Sequence, residues 1–437
     1  MAELELSIII LAFNEAENLK ILIPQVKSVV GPLDVGYEIV ILDGNSNDCT
    51  VQVARGLGCR VAVQDKPGYG NAFKQAIMEA KGKVSIFLDA DCSHSPEFIK
   101  KLWDKRDCCQ LAIASRYVRQ GSANMPAFRR FLSILLNRVY AAVLDVPYRD
   151  LSSGFRLYKS DSVKDIVGYL TGRDFDVLLE VLLKMHCAGY DIMEIPFHYY
   201  PRNHGKSSAR IFKFGISYLK TLYHAWQVRN SNFSADYDSR AFNSVIPLQR
   251  YWQRKRYEII MGMVEKQGSC IDIGCGSSKI IQNLPNAIGM DLDLKKLRFL
   301  KNTGRTLVKG DIYRLPFKDS VFDEVICSEV IEHIPKSRVE FKELNRIIVD
   351  GGILILGTPD YASFWWNLIE WFYARILPNA YAEGHIAHYT YEELLRLLEE
   401  NGFEVLIYRY ICQSELIIKA KKPSPVKAKA LINRKEG

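Results

Sequence analysis

The 437-residue chain lacks several features that would place it in a specialised class of protein. No apolar run reaches the roughly 18–20 residues that a membrane span needs, and the first residues, MAELELSIII, are acidic where a signal peptide is basic. The ten cysteines include no CxxC pair, which argues against both a disulfide framework and a cysteine-based zinc site. A cytoplasmic chain with reduced thiols is therefore expected.

Charge is present but unevenly distributed, with a net value of +8. Residues 1–230 carry 29 basic and 24 acidic side chains, residues 231–418 carry 22 and 25, and the last residues from 419 carry seven and one. The central part is thus slightly acidic, which argues against nucleic acid as a partner. The basic tail suits an anionic membrane surface.

Short β-branched runs alternate with helical periodicity in two separate series. The first four runs are 6–12, 37–43, 59–63 and 84–89, and a second series begins at 269. This alternation predicts two α/β domains with parallel strands, a size consistent with about 100–200 residues per domain. We expect domains at 1–230 and 249–419, a polar linker at 231–248 and a disordered basic tail at 420–437.

Acidic residues follow several strands of the first series. Asp43 and Asp89 end two predicted strands, and Asp91 comes two residues later. Two carboxylates on one side of an extended segment can hold a divalent cation against a diphosphate, although loop acids facing solvent give the same pattern about as often.

Six segments in order make the first half resemble a family 2 glycosyltransferase of the GT-A fold. They are ILAFNEAENL (10–19), LDGNSNDCT (42–50), DADCSHSPE (89–97), SRY (115–117), DLSSGFRLY (150–158) and RNHGKS (202–207). Within that family the resemblance is to polyprenyl-phosphate sugar transferases of the dolichol-phosphate mannosyltransferase type. It implies that Glu15 and Asp43 hold the nucleoside and that Asp89 and Asp91 ligate Mg²⁺ or Mn²⁺. Gly44, Asn45 and Cys49 depart from the family pattern and leave the nucleotide open.

Two stretches without acids follow the metal motif, at 108–144 and 195–235. A lipid phosphate is already anionic at pH 7, so its binding requires cations rather than a general base. Arg116, Arg130 and Arg202 are the candidate phosphate-binding residues. These features predict transfer of mannose or glucose from a nucleotide sugar to a polyprenyl phosphate; an alternative is transfer to a glycan hydroxyl.

Apolar residues recur at helical spacing between 128 and 143. The pattern fits either a buried helix or an amphipathic helix at an anionic membrane surface, and the resemblance favours the second. A peripheral enzyme at the cytoplasmic face of the membrane is therefore expected.

The second half resembles the class I S-adenosylmethionine-dependent methyltransferases, near the ubiquinone-methyltransferase group. The matching segments are CIDIGCGSS (270–278), IGMD (288–291), GDI (310–312), EVIEHI (329–334), DGG (350–352) and NGFEV (401–405). The resemblance implies a Rossmann-like fold in which Asp272, Gly274 and Gly276 contact the methionine moiety, Asp291 the ribose and Asp311 the adenine. A dinucleotide enzyme is the alternative, but Ser278 replaces its third glycine.

The methyl acceptor is less defined by the sequence. His333 is the preferred candidate base, ahead of His385 and His388, although each also suits a structural role. The aromatic segment 361–377 fits a core helix, a substrate lid or a membrane-interface helix. We therefore expect a bifunctional transferase, and the alternatives are glycan transfer with sugar O-methylation or a binding role for one half.

Overall fold

The structure, a computed structural model, describes residues 3–200, 211–265, 268–337, 339–376 and 385–424. The chain divides into two units, Met1–Arg229 and Asn230–Gly437, each with its own sheet and apolar core. In these described ranges, no helix combines the length and the apolar composition needed to cross a bilayer.

The apolar runs of the first unit form buried strands. The strands are β1 (Leu6–Ala12), β2 (Tyr37–Asp43), β3 (Arg60–Val63), β4 (Val84–Asp89), β5 (Leu111–Ser115), β6 (Ser122–Ala123), β7 (Arg156–Lys159), β8 (Ile192–Pro196) and β9 (His198–Tyr199). Seven of them form one sheet in the order β3-β2-β1-β4-β7-β5-β8, and β6 pairs with β9. Since β7 is antiparallel to β4 and to β5, the sheet is mixed rather than all parallel.

Helices cover both faces of this sheet. They are α1 (Ala16–Val30), α2 (Thr50–Gly56), α3 (Tyr69–Glu79), α4 (Phe98–Trp103), α5 (Ala127–Leu144), α6 (Ser160–Val167), α7 (Asp176–Cys187) and α8 (Ile211–Arg229). Apolar side chains of α1, α2 and α4 pack on one face, and those of α3, α6 and α7 pack on the other. Burial on both faces explains why the strands are apolar throughout rather than alternating.

The second unit also contains a seven-stranded sheet. Its strands are β10 (Cys270–Ile273), β11 (Ala287–Asp291), β12 (Thr306–Lys309), β13 (Phe322–Ser328), β14 (Ile348–Pro359), β15 (Glu404–Ile411) and β16 (Glu415–Lys421). The order is β12-β11-β10-β13-β14-β16-β15, with β16 antiparallel to β14 and β15. The prediction of two α/β domains, one GT-A-like and one Rossmann-like, is confirmed.

The helices of the second unit are α9 (Tyr237–Ala241), α10 (Pro247–Met263), α11 (Lys279–Asn283), α12 (Leu294–Leu300), α13 (Val339–Ile347), α14 (Phe364–Ile376) and α15 (Tyr391–Glu400). Residues 231–248, which we expected to be a linker, include α9 and lie in this unit. The physical reason is Asp238, which is hydrogen-bonded to Ser277 and ion-paired with Lys296. Strand β16 takes up residues 420 and 421 of the expected tail, and 425–437 lie outside the described residues.

Candidate active sites

Both sheets bring acidic side chains to the point where the strand order reverses. That point lies between β1 and β4 in the first unit and between β10 and β13 in the second. The connections diverge there and leave a crevice, which is where open α/β sheets bind ligands. Asp89 ends β4, and Asp272 lies in β10.

The loops after β1 and β2 are tied to each other. The N–H of Asn14 donates to Ser46 Oγ over 2.8 Å, and the N–H of Asn47 donates to Asn14 Oδ1 over 2.7 Å. Asn14 and Asn45 have φ values of 56° and 65°, which asparagine adopts more readily than most residues. Asn45 therefore maintains a turn in which the resembled family has glycine.

The two residues expected to hold the nucleoside lie in these loops. Asp43 is buried, and its Oδ2 accepts the N–H of Ser46 over 3.0 Å. Its other oxygen, Oδ1, is buried without a hydrogen-bond partner in the described part of the chain. Glu15 Oε2 accepts from Asn18 Nδ2 over 2.5 Å. An unsatisfied buried oxygen is costly, and a ligand hydroxyl or amine would satisfy that of Asp43.

The carboxylates expected to bind a metal ion follow β4. Asp89 has 41% of its side chain exposed, whereas Asp91 is buried and accepts the N–H of Ser93 over 3.0 Å. The N–H of Asp89 donates to His94 Nδ1 over 3.0 Å, which leaves the ring proton on Nε2, 3.6 Å from the Asp89 carboxylate. Burial lowers the pKa of His94. A neutral His94 therefore orients Asp89, which agrees with a structural role.

Arg116 belongs to an ion pair inside the first unit. Its backbone N–H and its Nε donate to Asp150 Oδ2, and its Nη2 donates to Asp150 Oδ1 over 2.7 Å and to Ser152 Oγ over 2.8 Å. Burial acts to raise the pKa of Asp150, but the Arg116 charge and the hydrogen bonds from Arg116 together outweigh it and hold that pKa below its usual range. This pairing joins two of the sequence motifs. Asp150 also neutralises the Arg116 charge, which we expected to face a phosphate. The contacts of Arg116 therefore favour a role in positioning the loop around Asp150.

Two glycines after β10 allow close approach of neighbouring groups. A Cβ on Gly274, whose φ is 67°, would lie 2.2 Å from Val330 Cγ2. A Cβ on Gly276, whose φ is 53°, would lie 2.5 Å from Asp238 Oδ2. The N–H of Gly276 donates to Asp291 Oδ2 over 2.8 Å, which joins the ends of β10 and β11. A side chain at either position would therefore strain the backbone and displace a neighbouring side chain.

A cavity of about 470 Å³ opens beside this loop and is lined by Asp238, Asp272, Asp291, Asp311 and Glu329 among others. Burial, with the charges of Asp291 and Asp238, raises the pKa of Asp272 to about 8. Burial also raises the pKa of Asp291. Asp272 Oδ2 is buried with no hydrogen-bond partner in the described ranges. Asp238 and Glu329 are paired with Lys296 and Arg256, which also line the cavity. Asp272 and Asp291 are therefore the carboxylates that fit a cationic ligand, and S-adenosylmethionine carries a sulfonium and an ammonium group.

Comparison with protein families identifies a domain in each unit. The family profile described as glycosyl transferase family 2 matches residues 7–167, and the profile described as a methyltransferase domain matches residues 271–356. The chain carries a family 2 glycosyltransferase domain followed by a methyltransferase domain. The alternative of a dinucleotide enzyme for the second half is therefore wrong.

Curated relatives match the glycosyltransferase domain. A dolichol-phosphate mannosyltransferase from Pyrococcus furiosus is 31% identical over 231 residues, which cover 50% of this chain and 63% of that protein. A dolichyl-phosphate hexose transferase from Haloferax volcanii is 25% identical over 218 residues, which cover 50% of this chain and 92% of that protein. Among solved structures, a SAM-dependent methyltransferase from Thermotoga maritima has a TM-score of 0.35 and 21% identity, covering 42% of this chain and 98% of that one.

Helix α5 of the glycosyltransferase domain is apolar on its exposed side as well as on part of its inward side, where Tyr140 and Leu144 are buried in the core. Its apolar stripe is exposed by 37–77% and consists of Phe128, Phe131, Leu132, Leu135, Val139 and Val143. Its inward side is partly polar: Tyr117 Oη donates to Ser133 Oγ over 2.7 Å, and Asn137 Oδ1 accepts the N–H of Leu151 over 2.7 Å. The interpretation of the apolar pattern as a buried face is therefore wrong for this stripe, whereas Leu136 and Tyr140 of the same pattern pack against the core.

The other expected phosphate-binding residues are placed differently. Arg130 is exposed on α5, whereas Arg202 lies outside the described residues together with its motif. Arg229 belongs to the second basic stretch but is buried, and its guanidinium donates to the carbonyls of Leu144 and Asp145 over 2.9 Å each. It therefore caps the C-terminal end of α5 and does not contribute to a basic surface.

Two of the three candidate histidines in the methyltransferase domain lie together. The ring centroids of His333 and His385 are 4.9 Å apart, and His333 lines the cavity. His388 instead stacks on Tyr361 with 4.0 Å between ring centroids. Asp311 accepts the N–H of Tyr313 over 3.0 Å at the cavity edge.

The aromatic segment combines core and surface residues. Trp366 is buried against His385 and Trp252, whereas Trp365 and Trp371 are about half exposed. Helix α14 is therefore amphipathic, and its tryptophans are not equivalent.

Sequence reasoning missed several residues of these sites. Asp150 lies in the motif DLSSGFRLY (150–158) and was assigned no role of its own. Its position after a basic stretch could have suggested the pairing with Arg116. Asp238 lies in the expected linker, and nothing in the neighbouring sequence indicated a role for it. Its carboxylate accepts from Ser277 N–H and from Lys296 Nζ, which lie in contact with it only because the chain folds back.

Proposed function

We propose that the glycosyltransferase domain transfers mannose or glucose from a nucleotide sugar to a polyprenyl phosphate of the dolichyl type. The exposed apolar stripe of α5 carries the proposal that the acceptor is a lipid, and the names of the two relatives support it. We further propose that the methyltransferase domain uses S-adenosylmethionine to methylate a sugar, a lipid-linked product or another small molecule.

Asp89 and Asp91 would hold Mg²⁺ or Mn²⁺ against the diphosphate of the donor. Two carboxylates suit these ions because substrate phosphates and water supply the remaining oxygen ligands. The ion would stabilise the charge that develops on the leaving diphosphate. Asp43, with its unsatisfied oxygen, and Glu15 would hold the nucleoside, and His94 would keep Asp89 in position.

The acceptor phosphate would act as nucleophile without a general base. One of its oxygens attacks the anomeric carbon, the bond from that carbon to the nucleoside diphosphate breaks, and the configuration inverts. The exposed cations of α5, including Arg130, would contribute positive charge at the surface where the phosphate arrives. We propose that Arg202 takes part as well, and that Arg116 positions the loop around Asp150.

Helix α5 would bring the enzyme to the lipid. Its apolar stripe would enter the interface between headgroups and acyl chains, while its arginines contact anionic headgroups. This arrangement corresponds to a peripheral protein on the cytoplasmic face, where nucleotide sugars are present.

The donor and acceptor are tested with full-length protein, Mg²⁺ or Mn²⁺, labelled nucleotide sugars and polyprenyl phosphate. Labelled lipid is expected, and Asp89→Asn should abolish it through loss of a metal ligand. Asp107→Asn is the matched control, because this carboxylate is exposed and lies outside the site. Absence of lipid labelling across the panel would refute the proposal, and labelling of a glycan hydroxyl instead would support glycan transfer.

Membrane attachment is tested by flotation with anionic liposomes. The double variant Phe128→Ser, Phe131→Ser should float less than the wild type. Met78→Ser, which removes an equally exposed apolar side chain from α3, should float like the wild type. Equal flotation of all three proteins would contradict a role for α5.

The methyltransferase half is tested by calorimetric titration with S-adenosylmethionine and by mass spectrometry. Lipid extracts incubated with nucleotide sugars and the cofactor should contain a glycolipid heavier by one methyl group. Failure to bind the cofactor would exclude the enzymatic role and leave a scaffold role for this half.

A further inference from the structure

Helix α14 of the methyltransferase domain has an aromatic face that is exposed. Four apolar side chains on one side of the helix are exposed by 44–70%, and they are Phe364, Trp365, Leu368 and Trp371. Exposed apolar patches on soluble domains commonly mark a surface that binds a protein or a membrane. We propose that this aromatic face, together with the start of α10, docks on the interface of an anionic lipid bilayer.

The opposite side of α14 is held by the domain. Trp366 is buried, with its ring centroid 5.9 Å from that of His385 and 6.4 Å from that of Trp252. Glu370 is the only charged residue between 364 and 371, and it lies on this inner side, where it accepts from Tyr361 Oη over 3.1 Å. The aromatic face therefore carries no charge over these positions, and packing fixes its orientation.

The start of α10 extends the aromatic face and adds positive charge. Trp252 contacts Trp366, and Leu248, one turn before Trp252 on the same side of α10, is about half exposed. Arg250 and Arg254 donate to uncharged oxygen atoms, and neither has a carboxylate partner in the described ranges. Their charges are therefore available to anionic headgroups.

The chemistry of this surface fits a bilayer better than a second copy of the chain. Tryptophan combines a large apolar ring with an N–H donor and concentrates where acyl chains meet headgroups. Each basic residue near an anionic leaflet adds about 1 kcal/mol of attraction. In a symmetric dimer the same surface would face itself, which would bring Arg250 and Arg254 close to like charges. An anionic bilayer avoids that repulsion.

The aromatic face lies near the methyl-donor cavity. Tyr361 precedes α14, and its Oη lies 2.7 Å from His385 Nδ1. The ring centroid of His385 is 4.9 Å from that of His333, which lines the cavity. Docking would bring the cavity to the membrane surface, which suits an acceptor lipid whose headgroup enters the cavity while its chains stay in the bilayer. This acceptor class rests on the proposed methyltransferase function, whereas the docking surface does not.

Flotation of the full-length protein tests the surface. The parent protein is the double variant in α5, which removes the other proposed membrane surface, and the vesicles contain phosphatidylcholine with or without phosphatidylglycerol. The parent should float with the anionic vesicles, and Trp365→Ser with Trp371→Ser should lower its partition coefficient about tenfold or more. Leu368→Ser should also lower it. Val321→Ser, which removes a similarly exposed side chain before β13 at the opposite end of the sheet, should float like the parent.

Tryptophan fluorescence with brominated acyl chains tests insertion directly, because bromine quenches only tryptophans close to it. Trp365→Phe with Trp371→Phe keeps the surface apolar, so this variant should float like the parent but show less quenching. Arg250→Gln with Arg254→Gln should float less, and its flotation should depend less on phosphatidylglycerol. The Tm and the affinity for S-adenosylmethionine should match those of the parent in each variant, which separates loss of docking from misfolding.

Equal flotation of the parent and the Trp365→Ser, Trp371→Ser variant would overturn the surface, as would quenching that the phenylalanine variant leaves unchanged. Sedimentation velocity tests the other occupant. A parent dimer that the serine variant dissociates would assign the aromatic face to a second copy and overturn docking on lipid. Flotation through α14 without methylation of any lipid would retain the surface and refute only the acceptor class.

Discussion

Replacing Asp272 with asparagine should stabilise the methyltransferase domain when no ligand is bound. Asp272 is buried beside Asp291 and Asp238, and these surroundings raise its pKa from 3.8 to about 8. In the unfolded chain the carboxyl group is ionised above pH 4, whereas in the folded domain it stays protonated up to about pH 8. Its contribution to stability is therefore fully present below pH 4 and is lost as the pH rises towards 8.

The magnitude follows from the difference between the two pKa values. At pH 7 the pH is about three units above the pKa of Asp272 in the unfolded chain, and each unit corresponds to about 1.4 kcal/mol. The ionisable group therefore lowers the free energy of unfolding by about 4 kcal/mol at most. Asp272→Asn removes this term. For a domain of about 200 residues, 4 kcal/mol corresponds to an upper limit of roughly 8–16 °C in Tm.

Differential scanning calorimetry of the full chain between pH 5 and pH 8 measures this effect. The transition of the methyltransferase domain is identified as the one that S-adenosylmethionine shifts in the wild type. Asp350→Asn is the control, because it removes the same charge from an exposed position. The gain from Asp272→Asn should grow with pH and exceed that of the control, while the shift caused by the cofactor should shrink. A gain that does not vary with pH would refute the reasoning.

Three further changes test individual contacts. Asp150→Asn leaves the buried Arg116 charge without its partner and should lower the free energy of unfolding by about 3–5 kcal/mol in a denaturant titration; a loss below 1 kcal/mol would contradict the pairing. Trp366→Ala should cost the methyltransferase domain about 3–5 kcal/mol, whereas Trp365→Ala, on the exposed side of α14, should leave its Tm nearly unchanged. Asp238→Asn should speed hydrogen exchange in α9, measured by mass spectrometry, and unchanged exchange would argue against the ion pair as its anchor.

Local patterns predicted much of the fold correctly. The runs 6–12, 37–43 and 84–89 became β1, β2 and β4 with the expected bounds, because buried parallel strands are apolar throughout and end at turn residues. Strands β5, β7 and β8 were not predicted. The antiparallel insertion of β7 between β4 and β5 joins residues about 70 positions apart, and hydrophobic periodicity carries no information on such pairing.

The candidate sites divide in the same way. Asp89, Asp91 and Asp291 were predicted because each ends or follows a strand whose position its own residues indicate, and Asp272 was predicted from the resemblance to methyltransferases. Arg116 was predicted from its charge alone, and only the folded chain revealed Asp150 beside it.

The sequence by itself determined that this chain contains two α/β domains and which strand ends carry their acidic residues, since both depend on neighbours along the chain. Only the tertiary structure decided that α5 exposes its apolar stripe, that residues 231–248 pack in the methyltransferase domain, and that His333 and His385 meet. Each of these depends on contacts between residues far apart in sequence, where packing and charge compensation decide the arrangement.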